Sequence, residues 1–227
     1  MLEWNAMERA IDTLIEDLKK MILLMGGHVE KSLAQATAAL LSKDLSLFES
    51  VHAIEKLINE DHIKVDNACM QLLAKQGPVA KDLRLILSVI KINNDLERMG
   101  DQAVNISHTG KDYLGRRPIP AQLGDIQKMS EIAGRMVKGS LDCFVRGDVE
   151  QAKKILMMDD EVDHLKNKVF KDCMAHMKSH SEDIEAGLDL ILIARNLERL
   201  GDHATNIAED VIFAFTGKDV RHGGKFG

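Results

Sequence analysis

The eleven residues Leu96–Ile106, LERMGDQAVNI, recur with few changes at Leu197–Ile207 as LERLGDHATNI. The offset between the copies is 101 residues (Leu96 against Leu197). Upstream it becomes 104, matching Asp44 with Asp148, Ile58 with Val162 and Cys69 with Cys173. Such a shift between matched segments is what one loop of different length produces. The chain of 227 residues therefore reads as two copies of one unit. That unit is helical. Leu85, Val89, Ile92, Leu96, Met99, Ala103 and Ile106 alternate spacings of four and three, a heptad seam. Ala186, Leu190, Ile193, Leu197, Leu200, Ala204, Ile207 and Val211 repeat it. Composition agrees, because 4% aromatics and three prolines leave little for strands or turns.

Punctuation divides each copy into three helices. Gly77-Pro78 breaks the first copy, and Pro118 and Pro120 stand near the midpoint of the chain. Helices are predicted over 4–42, 44–75 and 79–113, then over 121–146, 148–178 and 182–215. The expected fold is all-α, two tandem antiparallel three-helix bundles related by the internal repeat. Residues 1–115 and 121–216 form the bundles, 116–120 the linker and 217–227 a flexible tail. Ser179 and Glu182 have capping-box spacing for the last helix. Gly26-Gly27 reads as a place where the first helix loosens or bends.

Charge and composition exclude several function classes. Thirty Lys and Arg stand against 36 Asp and Glu, a net charge of −6 with no basic cluster, so nucleic acid is not an expected partner. The longest apolar run near the start, Met21–Met25, is far short of the ~20 residues of a membrane span, so no membrane insertion is expected. No secretory signal opens the chain, and the expected location is the cytoplasm. Cys69, Cys143 and Cys173 contain no CxxC pair and read as reduced, buried apolar residues. Neither a nucleophile elbow nor a phosphate-binding loop is present, and no residue pattern names a reaction.

A second row on the third helix carries more chemistry. Leu83, Leu87 and Ile90 continue at helical spacing into Asn94, Glu97 and Asp101, roughly opposite the heptad seam. On the sixth helix Ile184, Leu188 and Ile191 run into Arg195, Glu198 and Asp202. Glu97/Asp101 and Glu198/Asp202 are thus i,i+4 carboxylate pairs, an arrangement that costs a helix ~0.2–0.5 kcal/mol. Glu55/Asn59 and Asp159/Asp163 carry the same spacing on the second and fifth helices. If neighbouring helices bring these pairs together, the oxygen donors suit a hard cation such as magnesium, manganese or iron. The alternative is a solvated acidic face neutralised locally by Arg98 and Arg199. Glu49/His52 and Glu161/His164 have E-x-x-H spacing but stand out of register with the repeat, which argues against a buried di-iron bundle.

These residues bear a family resemblance. Pro78–Arg84, leading to Asn94-Asp95-Leu96-Glu97-Arg98-Met99-Gly100-Asp101, closely resembles the PhoU family of phosphate-transport regulators. Ala194–Ile207 resembles that family's other repeat more closely still, and Met25-Gly26-Gly27-His28-Val29 looks like its first-helix motif. The resemblance spans roughly Met7 to Thr216. It implies a cytoplasmic, non-enzymatic negative regulator of the phosphate-starvation response and of phosphate uptake. Such a protein is an adaptor coupling the phosphate-specific ABC transporter to a sensor histidine kinase, associated peripherally through its partners and homodimeric. It also implies metal binding through E(D)-x-x-x-D motifs, here Glu97/Asp101, Glu198/Asp202, Asp159/Asp163 and Glu55/Asn59, with Asn59 departing from the all-acidic pattern. The expected metal is a divalent or multinuclear transition metal (iron, manganese, zinc) or magnesium, required for no catalysis. Two other readings stay open on the residues alone: a metal-dependent enzyme with a surface carboxylate cluster, and a transporter assembly factor without a signalling role.

Overall fold

The structure, a computed structural model, describes residues 2–116, 119 and 122–221, with side chains from Ile11 onward. Six helices follow in order: α1 (Leu2–Ser42), α2 (Leu45–Gln76), α3 (Ala80–Leu114), α4 (Leu123–Arg146), α5 (Val149–Ser179) and α6 (Ile184–Thr216). Helices α1–α3 form one antiparallel bundle and α4–α6 the other. Every seam residue named above on α3 and α6 is buried, from Leu85 to Ile106 and from Ala186 to Val211. The buried side chains form one continuous cluster through both bundles, so the halves share a core. No helix among the described residues is long and apolar enough to cross a membrane. The three cysteines are free and buried, and burial pushes the Cys69 thiol up to about 12.

The halves meet antiparallel along two contacts. Between α1 and α4, Gly26 faces Leu141, Leu33 lies against Gly134, and Thr37 bonds Ser130 at 2.6 Å. Each step forward on α1 is matched by an equal step back on α4. Between α3 and α6, Ser88 Oγ donates to the Asp210 carbonyl, Lys91 pairs with Asp210 at 3.0 Å, and Asp95 meets His203 and Asn206. Both contacts centre on repeat-equivalent positions, near residues 31 and 135 on α1 and α4 and near Gly100 and Gly201 on α3 and α6. A pseudo-two-fold axis therefore passes through both crossings and exchanges the bundles.

Three local expectations give way in the structure. Through Gly26-Gly27, α1 runs unbroken to Ser42. Gly26 is there for close approach, since a Cβ would collide with Leu141 Cδ1. The Ser179–Glu182 capping box does not form. Ser179 still belongs to α5 and its hydroxyl donates back to the carbonyls of Ala175 and His176, while a 3-10 turn, Ser181–Asp183, leads into α6. The segment read as a linker is tied down where it is described. Ile119 is buried, and the Tyr113 hydroxyl donates to its carbonyl at 3.1 Å and accepts from its N–H at 2.9 Å. Arg116 reaches across to Asp189 and Glu185 of α6. Val220, in the segment read as a flexible tail, is buried as well. Pro118, Pro120 and residues 222–227 lie outside the described residues.

Matched turns show how the two copies solve one problem differently. Asp44 caps α2 by accepting from the Ser46 N–H, and its equivalent Asp148 caps α5 by accepting from the Gln151 N–H. Just before each cap the chain must enter the left-handed region, at Lys43 (φ 59°) and Gly147 (φ 68°). A non-glycine residue there costs roughly 1–2 kcal/mol. Lys43→Gly is expected to raise stability by about 1 kcal/mol in urea unfolding. Gly147→Lys is expected to lower it by more, because a Cβ there would also stand 2.7 Å from the Phe215 ring. Equal and opposite effects at the two positions would contradict this account.

Candidate metal-binding and docking face

Antiparallel packing of α2 on α3 places two rows side by side on the solvent face. The α2 row is Glu55, Asn59, His62, Asp66 and Met70; the α3 row, taken in the opposite direction, is Asp101, Glu97, Asn94, Ile90 and Leu87. Their register is set by His62 Nε2 against Asn94 Oδ1 at 3.2 Å and by Gly100, whose missing side chain lets Ile58 approach to 3.0 Å. The second half repeats the ladder. Asp159, Asp163, Lys166, Phe170 and Met174 on α5 run beside Asp202, Glu198, Arg195, Ile191 and Leu188 on α6, joined through Lys166 and Glu198. Each ladder is acidic at the end near the pseudo-two-fold and apolar at the far end. The acidic ends meet a shared cleft between α3 and α6, about 850 Å³ in volume, lined by Glu97, Arg98 and Asp101 on one side and Arg199, Asp202 and His203 on the other.

The carboxylates of each half feel one another. Burial and the neighbouring Asp101 raise the Glu97 pKa, opposed by His62 and Arg98. Burial and Glu55 raise that of Asp101. In the second half burial, followed by Asp202, Asp163, Glu198 and Asp160, pushes Asp159 up to about 6. Asp202 is raised by burial, Glu198 and Asp163, and held back by His203 and Lys166. All eight positions singled out by spacing thus come together in fours, Glu55 and Asn59 with Glu97 and Asp101, and Asp159 and Asp163 with Glu198 and Asp202.

The donor chemistry suits a hard cation, but other groups already stand among the acids. Lys166 Nζ donates to Asp163 Oδ1 and Glu198 Oε1, both at 2.7 Å, and these two partners push its pKa up to about 12. It bridges the second quartet as an internal cation. In the first quartet Asn59 Nδ2 donates to Glu55 Oε1 at 2.5 Å. Among the described residues no three His, Cys, Asp or Glu side chains stand close enough to hold one ion. A bound metal therefore needs the carboxylates to rotate and, in the second half, Lys166 to leave them. Glu49 and Glu161, from the E-x-x-H matches, are exposed and belong to neither quartet.

Sequence spacing missed Lys166 and His62, which occupy equivalent places in the two ladders. The signal was present, since 104 residues separate them, but a basic residue on a helical flank reads as solvated until its neighbour helix is placed. It also missed the partner of His203, whose Nδ1 lies 2.8 Å from Asp95 Oδ1 across the α3–α6 contact. His28 of the first-helix motif likewise pairs with the buried Asp61, at 2.9 Å.

Asp159 supplies a pH test. An acid whose pKa rises on folding stabilises the fold most when protonated, and that contribution is lost as pH rises through the folded value, here about 6. In chelator, Asp159→Asn is expected to raise the urea midpoint at pH 7.5, where Asp163, Glu198 and Asp202 repel the wild-type carboxylate. The gain should shrink toward zero near pH 4. A gain that is the same at both values would show that charge at Asp159 is not its source.

Comparison with known proteins agrees with this arrangement. A family model described as the PhoU domain matches residues 22–109 and again 126–211, once in each repeat. The chain is 35% identical over 208 residues to the phosphate-specific transport system accessory protein PhoU homolog of Pseudomonas aeruginosa, covering 92% of this chain and 86% of that protein. It is 31% identical over 210 residues to the phosphate-specific transport system accessory protein PhoU of Escherichia coli, covering 92% and 87%. The crystal structure of PhoU from Pseudomonas aeruginosa superposes with a TM-score of 0.88 at 33% identity, covering 91% of this chain and 99% of that one. The phosphate transport system regulatory protein PhoU from Streptococcus pneumoniae gives 0.86 at 27% identity, covering 92% and 99%. With a matched domain in each half and these relatives aligned over most of its length, the chain belongs to the PhoU family.

Proposed function

We propose that this protein is a cytoplasmic, non-enzymatic negative regulator of the phosphate-starvation response and of phosphate uptake. It acts as an adaptor between a phosphate-specific ABC transporter and a sensor histidine kinase. The observation that carries the reading is the pair of carboxylate quartets on one solvent face, repeated by the fold and joined across the α3–α6 cleft. Half-buried acids that raise one another's pKa are costly to keep, and a face that spends stability in this way suits recognition of basic surfaces. The relatives' names, accessory proteins of a phosphate-specific transport system, support the transporter as one partner.

Metal binding belongs to the same proposal. Glu55, Glu97 and Asp101, with the Asn59 carbonyl oxygen, would hold a cation in the first half, and Asp159, Asp163, Glu198 and Asp202 in the second. The ion, a divalent or multinuclear transition metal or magnesium, would supply positive charge that relieves the repulsion and reshapes the face for its partners. Lys166 already relieves part of that repulsion in the second half, so it competes with the ion there.

The test replaces Glu97 and Glu198 by Gln and Asp101 and Asp202 by Asn in one variant. Elemental analysis of protein purified without chelator is expected to show metal in the unmodified chain and at most about a tenth as much in the variant, a loss of 1.4 kcal/mol or more. A strain carrying the variant should express a phosphate-starvation reporter at high phosphate, as a deletion strain does. Normal repression by the variant would remove the acidic face from the regulatory mechanism. Lys166→Met is expected to bind Mn²⁺ more tightly than the unmodified protein in calorimetric titration, and weaker binding would make Lys166 a supporting residue rather than a competitor.

A further inference from the structure

One pattern singled out by spacing stands outside both quartets: Glu49-x-x-His52, in the part of α2 nearest the turn from α1. Here α2 lies close on α3, because Gly110 leaves room for the Phe48 ring and Ser107 Oγ donates to the Phe48 carbonyl at 3.4 Å. One turn further along α2, His52 meets His108 of α3, with ring centroids 4.8 Å apart and planes tilted by 55°. His52 is half-buried and His108 is exposed. Glu49 leans across to α3 as well, where Lys111, one turn from His108, stands 3.5 Å from its carboxylate. Both ends of that ion pair are exposed, so it holds Glu49 only weakly. The other half shows that the fold does not need this group. The equivalents of Glu49, His52 and His108 there are Lys153, Leu156 and Glu209, and Leu156 packs on the core as an ordinary apolar residue.

We infer that Glu49, His52 and His108 form a site for one zinc-like ion, a borderline-soft divalent cation that takes imidazole nitrogen. Two imidazoles bound to one tetrahedral ion at about 2.0–2.1 Å have ring centroids about 5 Å apart, with lone-pair planes that intersect at the ion. The separation of 4.8 Å and the 55° tilt of this pair lie close to that arrangement with neither helix moved. His176 and His180 make the contrast. Their rings are stacked 10° from parallel, so their lone pairs lie in planes that share no point near both rings. The imidazoles also set the class of metal. Nitrogen donors favour zinc, copper and nickel, whereas the carboxylate quartets offer oxygen alone and suit harder cations. Glu49 supplies the third ligand once its carboxylate turns from Lys111 to the ion, and water completes the tetrahedron. Its spacing of three residues from His52 puts both α2 ligands on one helical face. The site lies one turn of α2 beyond Glu55 and shares no ligand with the quartets. It ties α2 to α3, and binding to the folded chain makes the stability of the first bundle depend on the metal.

The experiment titrates Zn²⁺ by calorimetry into the full-length chain carrying Glu97→Gln, Asp101→Asn, Glu198→Gln and Asp202→Asn, so that the quartets compete less. One equivalent is expected to bind with a Kd of about 10 μM, weak enough to be lost during purification and so not counted in elemental analysis. In that parent His52→Leu, which installs the residue found at this place in the other half, should weaken binding at least about tenfold, a change of 1.4 kcal/mol. His108→Gln and Glu49→Gln should do the same. In chelator all three variants should keep the parent's helical content and melting temperature. Zinc should raise the melting temperature of the parent and leave that of His52→Leu where it was. Co²⁺ in place of zinc should give the strong visible absorption of a tetrahedral site, and His108→Gln should abolish it. Zinc binding unchanged by either histidine substitution would overturn the site and assign the ion to the remaining carboxylates. Binding lost on the histidine substitutions but kept by Glu49→Gln would overturn the three-residue ligand set. Binding by the parent no tighter than about 1 mM would reduce the two rings to a packing contact, and would overturn the site as well. None of these results alters the manganese or reporter tests of the carboxylate face.

Discussion

The antiparallel contact between α3 and α6 is the constraint on which the rest of the structure depends. It places the two acidic pairs on either side of one cleft and sets the axis about which the bundles repeat. Its polar bonds are not what makes it strong. Burial raises the Asp210 pKa in spite of its ion pair with Lys91, so desolvation there outweighs the attraction. A buried pair of this kind holds register more than it adds stability. The ion pair, together with Asp95, His203 and Asn206, decides how far one helix slides along the other. A slide of one turn, about 5.4 Å, would take Asp101 away from the residues with which it shares the cleft.

The packing of α2 on α3 explains why the acidic face exists at a cost. In the register that Gly100 and Ile58 allow, Glu55 and Asn59 must meet Glu97 and Asp101. The two halves relieve the crowding in different ways. The first has Asn59 in place of an acid, donating to Glu55, and His62 beside Asn94. The second keeps four acids and inserts the Lys166 ammonium between two of them. Asp159, buried first of all and then crowded by Asp202, Asp163 and Glu198, is pushed up to about 6.

Patterns within a single helix are legible in the amino-acid sequence. The heptad seams, the six helices to within about two residues, the doubled bundle and the eight clustered positions all follow from spacing, because helical geometry converts sequence separation directly into a shared face. Spacing does not supply anything decided by a second helix. Ser179 has the right neighbours for a cap, yet it is the last residue of α5 and its hydroxyl bonds backward. Ile119 and Val220 sit in stretches whose proline, glycine and charge content reads as loop, yet each is buried. Gly26 reads as a weak point in α1, and only the position of Leu141 shows that a side chain there would collide. Lys166 and His62 fall in the same class, since the register between antiparallel helices, not the chain around them, brings them to the carboxylates.

The places where the two copies differ are informative in turn. Lys43 and Gly147, His62 and Lys166, and the Thr37–Ser130 hydrogen bond against its counterpart, Gly26 under Leu141, are pairs of answers to one geometric question. The backbone frame and both acidic rows are held in common while the groups that pack or neutralise them have diverged. A fold that tolerates exchange of a hydrogen bond for a methyl contact at its α1–α4 crossing is limited by shape there, not by polarity. The acidic rows are different in kind. Packing does not require carboxylates on a solvent face, and both copies keep them although they raise one another's pKa. Their persistence in both halves therefore calls for an explanation outside the fold, in what the face meets.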